Sequence, residues 1–160
     1  MPLTLHLEGA ERLAGALQRS PAVVAAAQAQ AMTRSLLLIE TDARRNVKQD
    51  TRQLMNSITG RQRRQPSGVV GQVGPSARYG LYVERGSRPH WPPRAPLEGW
   101  ARRHGVPVFV VQRAIARRGT RARPFLLPAY EKNRDTVVRL FAAAGARVTS
   151  TLATLSGGRG

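Results

Sequence analysis

Three histidines, nine carboxylates and 26 lysines and arginines are the groups with which this chain could do chemistry. His6, His90 and His104 lie far apart, and none stands at ligand spacing with a Cys, Asp or Glu. Several donors converging on a metal are therefore not expected. Glu84 is the one carboxylate inside a patterned segment, Tyr82-Val83-Glu84-Arg85-Gly86. A catalytic role and a structural one are both open to it. No second carboxylate stands at an acid/base spacing, and Ser87 has no evident partner base. Neither a Gly-x-Ser-x-Gly phrase nor a phosphate-cradling glycine-rich loop is present. The residues point away from an enzyme and from a bound cofactor. Glu84 is expected to anchor local structure, by accepting backbone N–H bonds or by pairing with an arginine.

The cations carry the stronger pattern. All but Lys48 and Lys132 are arginine, and the net charge is +17 with a sequence pI near 11.9. Residues 52 to 123 hold 15 arginines against Glu84 and Glu98, a net of +13. A GC-rich coding sequence favours arginine, but arginine also pairs bidentately with carboxylate or phosphate in partly dry interfaces. Arg61, Arg63 and Arg64 form one cluster, with Arg61 and Arg63 on one face of a strand. Arg113 and Arg117 share a helical face and lead into Arg118, Arg121 and Arg123. Three readings stand for these clusters: a solvated basic face, docking on acidic surfaces of neighbouring proteins, or contact with DNA phosphates. They lack interleaved aromatics, so stacking on single-stranded bases is not expected. No helix-turn-helix, zinc or RNA-binding signature appears, so any DNA contact would be to the backbone, without sequence reading.

The elements that must position these residues follow from periodicity and punctuation. At 160 residues the chain reads as one domain, residues 1–155, with an insert over about 88–122 and a flexible tail at 156–160. Hydrophobic residues are 41% but aromatics only 5%, so the core is expected to be thin, alanine-rich and helped by partners. The absence of Cys rules out disulfides and fits a reducing compartment. Met1 to Glu8 does not read as a signal peptide, and no apolar stretch is expected to reach membrane-spanning length. Leu3 to Glu8 alternates like a short strand. A helix over Ala10–Arg19, a restart at Ser20-Pro21 and a long helix to about Met55 should follow. Ser57 to Val73 reads as a hairpin turning at Pro66-Ser67-Gly68. Tyr79 to Glu84 should make one or two helical turns capped by Gly86. Ser87 to Pro96 is too Pro-rich to be regular, and Trp91 there should pack on prolines or on a neighbouring subunit. Short helices are expected over Leu97–His104 and Val108–Arg118, the latter capped by Gly119. An extended arm over Arg121–Pro124 leads to a last helix with Pro128 in its first turn. The predicted class is α+β, with long N- and C-terminal helices packed on a small antiparallel hairpin and a short-helix insert.

Two phrases in this layout, Tyr79-Gly80-Leu81-Tyr82-Val83-Glu84-Arg85-Gly86-Ser87 and Arg123-Pro124-Phe125-Leu126-Leu127-Pro128-Ala129-Tyr130, carry a resemblance. Together they resemble the signature of the tail-completion, or head–tail joining (neck), proteins of long-tailed bacteriophages, the family of a lambdoid tenth gene product. The family's first phrase is Tyr-Ala-x-x-Val-Glu-x-Gly-Thr, and x-Pro-Phe-Leu-x-Pro-Ala with a closing helix follows. Gly80 departs from the usual Ala, Ser87 from Thr, and Leu127 from the frequent Arg. Trp100 and Ile115-Ala116-Arg117-Arg118-Gly119-Thr120 are similar to the family's helical insert. The resemblance covers most of the chain in element order. It implies a structural virion protein of the neck or upper tail, assembled in the host cytoplasm. Such a protein forms or joins a six-fold or twelve-fold ring of its own copies. Its other partners would be neighbouring neck proteins (stopper or adaptor, tail terminator, tail tube), with possible backbone contact to packaged DNA and no membrane. Under it, Tyr79, Tyr82, Val83, Glu84, Gly86, Pro124, Phe125 and Pro128 are structural motif residues. The alternative reading is a basic architectural nucleic-acid-binding protein without sequence specificity.

Overall fold

Alanine, the best helix former, recurs from Ala10 to Ala43, and in the computed structural model that stretch lies in one helix. The structure describes residues 10–47, 52–65 and 68–156. α1 runs over Ala10–Asn46 without a break at Pro21, so the expected restart at Ser20-Pro21 is overturned. An interior proline removes one N–H bond and costs about 3 kcal/mol. The alanine-rich turns that follow it carry the helix through. α1 also stops at Asn46, well short of Met55, which lies in a separate short helix, α2 (Gln53–Ser57). The Ser20–Asn46 part is long and apolar enough to cross a membrane by length and composition. That overturns the expectation that no segment reaches such a length: the alanines and Leu36-Leu37-Leu38-Ile39 outweigh Gln28, Gln30 and Arg34.

The remaining elements are β1 (Ile58–Gln65), β2 (Gly68–Pro75), α3 (Gly80–Arg85), α4 (Ala95–Arg103), α5 (Val108–Arg118) and α6 (Leu126–Ser156). β1 and β2 pair as a two-stranded antiparallel hairpin. The fold is thus α+β and mostly helical, with long first and last helices and short helices between, as the periodicity predicts. The strand expected over Leu3–Glu8, the turn residues Pro66 and Ser67, and residues 157–160 of the expected tail lie outside the described residues.

The described chain divides into two compact units, residues 10–41, 60–73 and 130–156 in one and 42–59 and 74–129 in the other. In the first, α1 crosses the hairpin where two strand glycines leave room. A Cβ at Gly71 would collide with the Met32 sulfur, and one at Gly60 would meet Leu36 Cβ at 3.1 Å. The Gly60 N–H donates to Glu40 Oε2 at 2.7 Å, and Gln62 Nε2 donates to Thr33 Oγ1 at 3.1 Å. Gly60 and Gln62 therefore face α1, and the strand alternation turns Arg61 and Arg63 to the opposite side.

In the second unit the buried apolar residues are mostly small, with two large ones among them. Ala43, Val47, Leu54, Ala101 and Ala129 are buried, and Phe125 and Ile58 are the largest fully buried side chains among the described residues. Polar side chains tie the backbone around them. Arg44 Nη2 donates to the Ile58 carbonyl oxygen at 2.8 Å, and Asn46 Nδ2 donates to that of Phe125 at 3.2 Å.

Candidate functional site

α3 ends where Gly86 adopts φ 72°, and α5 ends where Gly119 adopts φ 70°. Both are in the left-handed region that side chains with a Cβ resist. The two glycines flank an isolated antiparallel bridge between Ser87 and Thr120. Its backbone bonds are Ser87 N–H to Thr120 O at 3.1 Å and Thr120 N–H to Ser87 O at 3.2 Å. The Thr120 hydroxyl also donates to Ser87 Oγ at 3.0 Å. At Gly119 an added Cβ would collide with the Ser87 carbonyl oxygen, so the close approach and the turn both require glycine.

The bridge brings the chain back beside α3, and Glu84 completes the junction. The Phe125 and Leu126 N–H groups donate to Glu84 Oε2 at 2.7 and 2.9 Å, and the Leu127 N–H donates to Oε1 at 3.0 Å. The Arg123 N–H donates to the Val83 carbonyl oxygen at 2.8 Å. The first N–H groups of a helix have no partner within it. Here three of them find a carboxylate, and Pro128, next in line, has no N–H to satisfy. The negative charge also sits at the positive end of the α6 dipole. Glu84 thus anchors by backbone N–H bonds, with both oxygens engaged, which makes it a helix cap rather than a free acid or base.

Around this junction the other motif residues divide. Phe125 is fully buried, while Tyr82, Pro124, Leu127 and Pro128 are exposed and Val83 is partly buried. Burial pushes the Tyr79 phenol up from its ordinary pKa, although the residue is 40% exposed. Gly80, which departs from the alanine of the resembled phrase, is buried against Pro75 and Leu54, and a Cβ there would collide with the Pro75 ring.

Arg61, Arg63 and Arg64 are exposed on β1 of the first unit. Arg113, Arg117 and Arg118 are exposed on α5, and Arg121 and Arg123 on the irregular segment that follows it. Among the described residues none of the eight forms an ion pair. The sequence pattern did not reveal the ring that joins the second cluster: Trp91 packs beside Phe109, with centroids 6.0 Å apart and planes tilted 57°.

The remaining titratable groups are dispersed. Among the described residues no three His, Cys, Asp or Glu side chains converge. His6 lies outside them. His90 Nδ1 donates to the Arg88 carbonyl oxygen at 2.9 Å, and His104 lies against Trp100 with ring centroids 4.3 Å apart. An open groove of about 480 Å³ in the first unit runs between Val23, Ala26, Ala27 and Gln30 of α1 and Arg147, Val148 and Thr151 of α6. Among the described residues, Arg147 is the only charged side chain lining it.

Sequence reasoning missed Asn46, which meets the carbonyl of Phe125, and named Thr120 only within the insert phrase, without the bridge that it closes. A polar residue at the end of a long helix and a Gly-Thr pair after a shorter one were the available signals. No family model, no curated protein and no solved structure matches this chain.

Proposed function

We propose that this chain is a structural subunit of the head–tail interface of a long-tailed bacteriophage, a tail-completion protein that forms or joins the ring connecting tail to head. The observation that supports this reading best is the junction at Glu84. The two phrases that resemble the family signature are bound to each other across 41 residues by carboxylate-to-backbone bonds. The residue types of both phrases have a shared physical task in that junction: a helix cap at Glu84, a turn at Gly86 and a buried plug at Phe125. The mechanism is assembly and needs no catalytic group or cofactor. Copies associate into a six-fold or twelve-fold ring, relieving the thin alanine-rich core, and the exposed arginines meet acidic surfaces of adjacent neck or tail rings. The place of action is the virion neck, after assembly in the host cytoplasm. Sedimentation and negative-stain microscopy of the protein, alone and mixed with products of adjacent genes, test the proposal. Rings or ring-on-ring complexes are expected. A strictly monomeric species in every mixture refutes it.

The eight exposed arginines without ion-pair partners among the described residues also favour a second reading, a sequence-indifferent binder of nucleic acid. Retention on duplex DNA at physiological salt by a protein that forms no ring would select it.

A further inference from the structure

One face of the second unit joins apolar anchors to the arginines of α5. Gln112, buried on the inner side of α5, donates from Nε2 to the carbonyl oxygen of buried Pro92 at 3.0 Å, which pins the Pro-rich loop to the helix. Trp91, next to that pin, lies beside Phe109. Both rings stay open to solvent: Trp91 is 57% and Phe109 58% exposed, and the adjacent Val110 is 51% exposed. Arg113 and Arg117 follow Phe109 by four and eight residues, one and two turns along the same side of the helix. A rigidly held apolar patch continuous with a cationic stripe is the composition of a docking anchor, because aromatic rings and arginine dominate binding energy and a pinned loop loses little entropy on binding.

We infer that this face of α5 is a docking site for an acidic protein segment that sets an apolar side chain against Trp91, Phe109 and Val110 and carboxylates against Arg113 and Arg117. Charge selects the occupant. The second unit carries 15 cationic side chains and only four acidic ones, Asp42, Asp50, Glu84 and Glu98. Glu84 is engaged at α6, Asp42 lies 3.8 Å from Arg45, and Glu98 lies 3.6 Å from Arg94. A second copy presenting the same face would set arginine against arginine. The aliphatic Val110 beside the rings fits an apolar protein side chain, and a base stacking on Trp91 or Phe109 is the competing outcome that the oligothymidylate measurement separates. The inference deepens the ring-docking proposal and rests on it for the partner's role. Its test needs no ring, so failure of ring assembly and failure of this surface are separate results.

The experiment selects a displayed library of random peptides on the immobilised full-length protein at physiological salt. The strongest peptides are then titrated against wild type and variants by fluorescence anisotropy, beside a labelled oligothymidylate. Enriched peptides should carry Asp or Glu around a large apolar residue. Phe109→Ala and Arg113→Glu should each weaken them about tenfold or more, while Arg134→Glu, exposed on α6 of the first unit and outside both arginine clusters, leaves them unchanged. Arg113 is exposed, so its variant tests the surface even if Phe109→Ala melts early. Four results overturn the inference: peptides without acidic residues, peptides that bind both variants like wild type, a selection that enriches nothing, and oligothymidylate binding that Phe109→Ala abolishes while peptides bind elsewhere.

Discussion

Replacing Glu84 removes the acceptor for three main-chain donors at once. Its oxygens hold the N–H groups of Phe125, Leu126 and Leu127 at 2.7, 2.9 and 3.0 Å. A hydrogen bond to a charged group contributes about 1.5–3 kcal/mol. A carboxylate at a helix N-terminus adds about 0.3–1 kcal/mol. The three bonds do not add. The bond from Leu127 is exposed, with that residue 54% accessible, so water replaces it readily. The loss falls mainly on the part-buried N–H groups of Phe125 and Leu126. Glu84→Ala should therefore destabilise by about 2–4 kcal/mol. Glu84→Gln keeps one carbonyl oxygen for those two donors but turns an amide NH₂ toward the Leu127 N–H and removes the charge. Its expected loss is smaller, about 1–3 kcal/mol. Urea unfolding followed by far-UV circular dichroism measures both, as a lowered midpoint with an unchanged slope. A Glu84→Ala protein within about 0.5 kcal/mol of wild type would refute the reasoning. So would a Gln variant less stable than the Ala variant.

Neutralising Arg61, Arg63 and Arg64 together should leave the melting temperature unchanged or raised, because these side chains are exposed and repel one another. The same change should weaken ring docking or DNA contact, most visibly at low salt, where exposed charges are least screened, and unfolding of the triple variant would refute the docking-surface reading. Gly119→Ala should destabilise by more than about 2 kcal/mol in thermal melts, combining left-handed strain with the collision against Ser87. Gly145→Ala, on open helix where a Cβ meets nothing within 4 Å, should be neutral or stabilising by about 0.5–1 kcal/mol. Sedimentation at moderate salt should find the protein associated with itself or with a partner ring, and a monomer throughout would contradict the thin-core argument.

The sequence carried the punctuation of this fold better than its continuity. Gly86, Gly119 and Pro128 each mark a local backbone event, and α3, α5 and α6 begin or end beside them. Pro21 misleads because the cost of an interior proline is finite, and the long alanine-rich helix absorbs it. Asn46 marks a stop that composition hides, since Val47 onward still lacks Gly and Pro. Gly60 and Gly71 did carry a readable signal: a glycine inside a strand often marks the close approach of another backbone or side chain. The anchoring role of Glu84 was legible from its solitary place in the motif, but its partners were not. Phe125, Leu126 and Leu127 meet it only because the chain returns after the insert. Trp91 beside Phe109 has the same origin. Their contact depends on a loop held by Gln112, and no periodicity links a Pro-rich segment to a helix that begins well after it.

The bridge between Ser87 and Thr120 has a consequence for how the chain can vary. Residues 88–119 leave and re-enter the fold at two backbones in direct hydrogen-bond contact. The segment therefore behaves as a cassette. A segment of another length could join the same two backbones without moving Glu84 from the start of α6, provided that it keeps a glycine before Thr120 and fills the place of buried Ala101. Loop closure makes this inexpensive, since each doubling of a flexible loop adds only about 0.6 kcal/mol. Surface chemistry carried on the cassette, including the exposed rings and arginines of α5, can therefore be exchanged while the cap that holds the closing helix stays as it is.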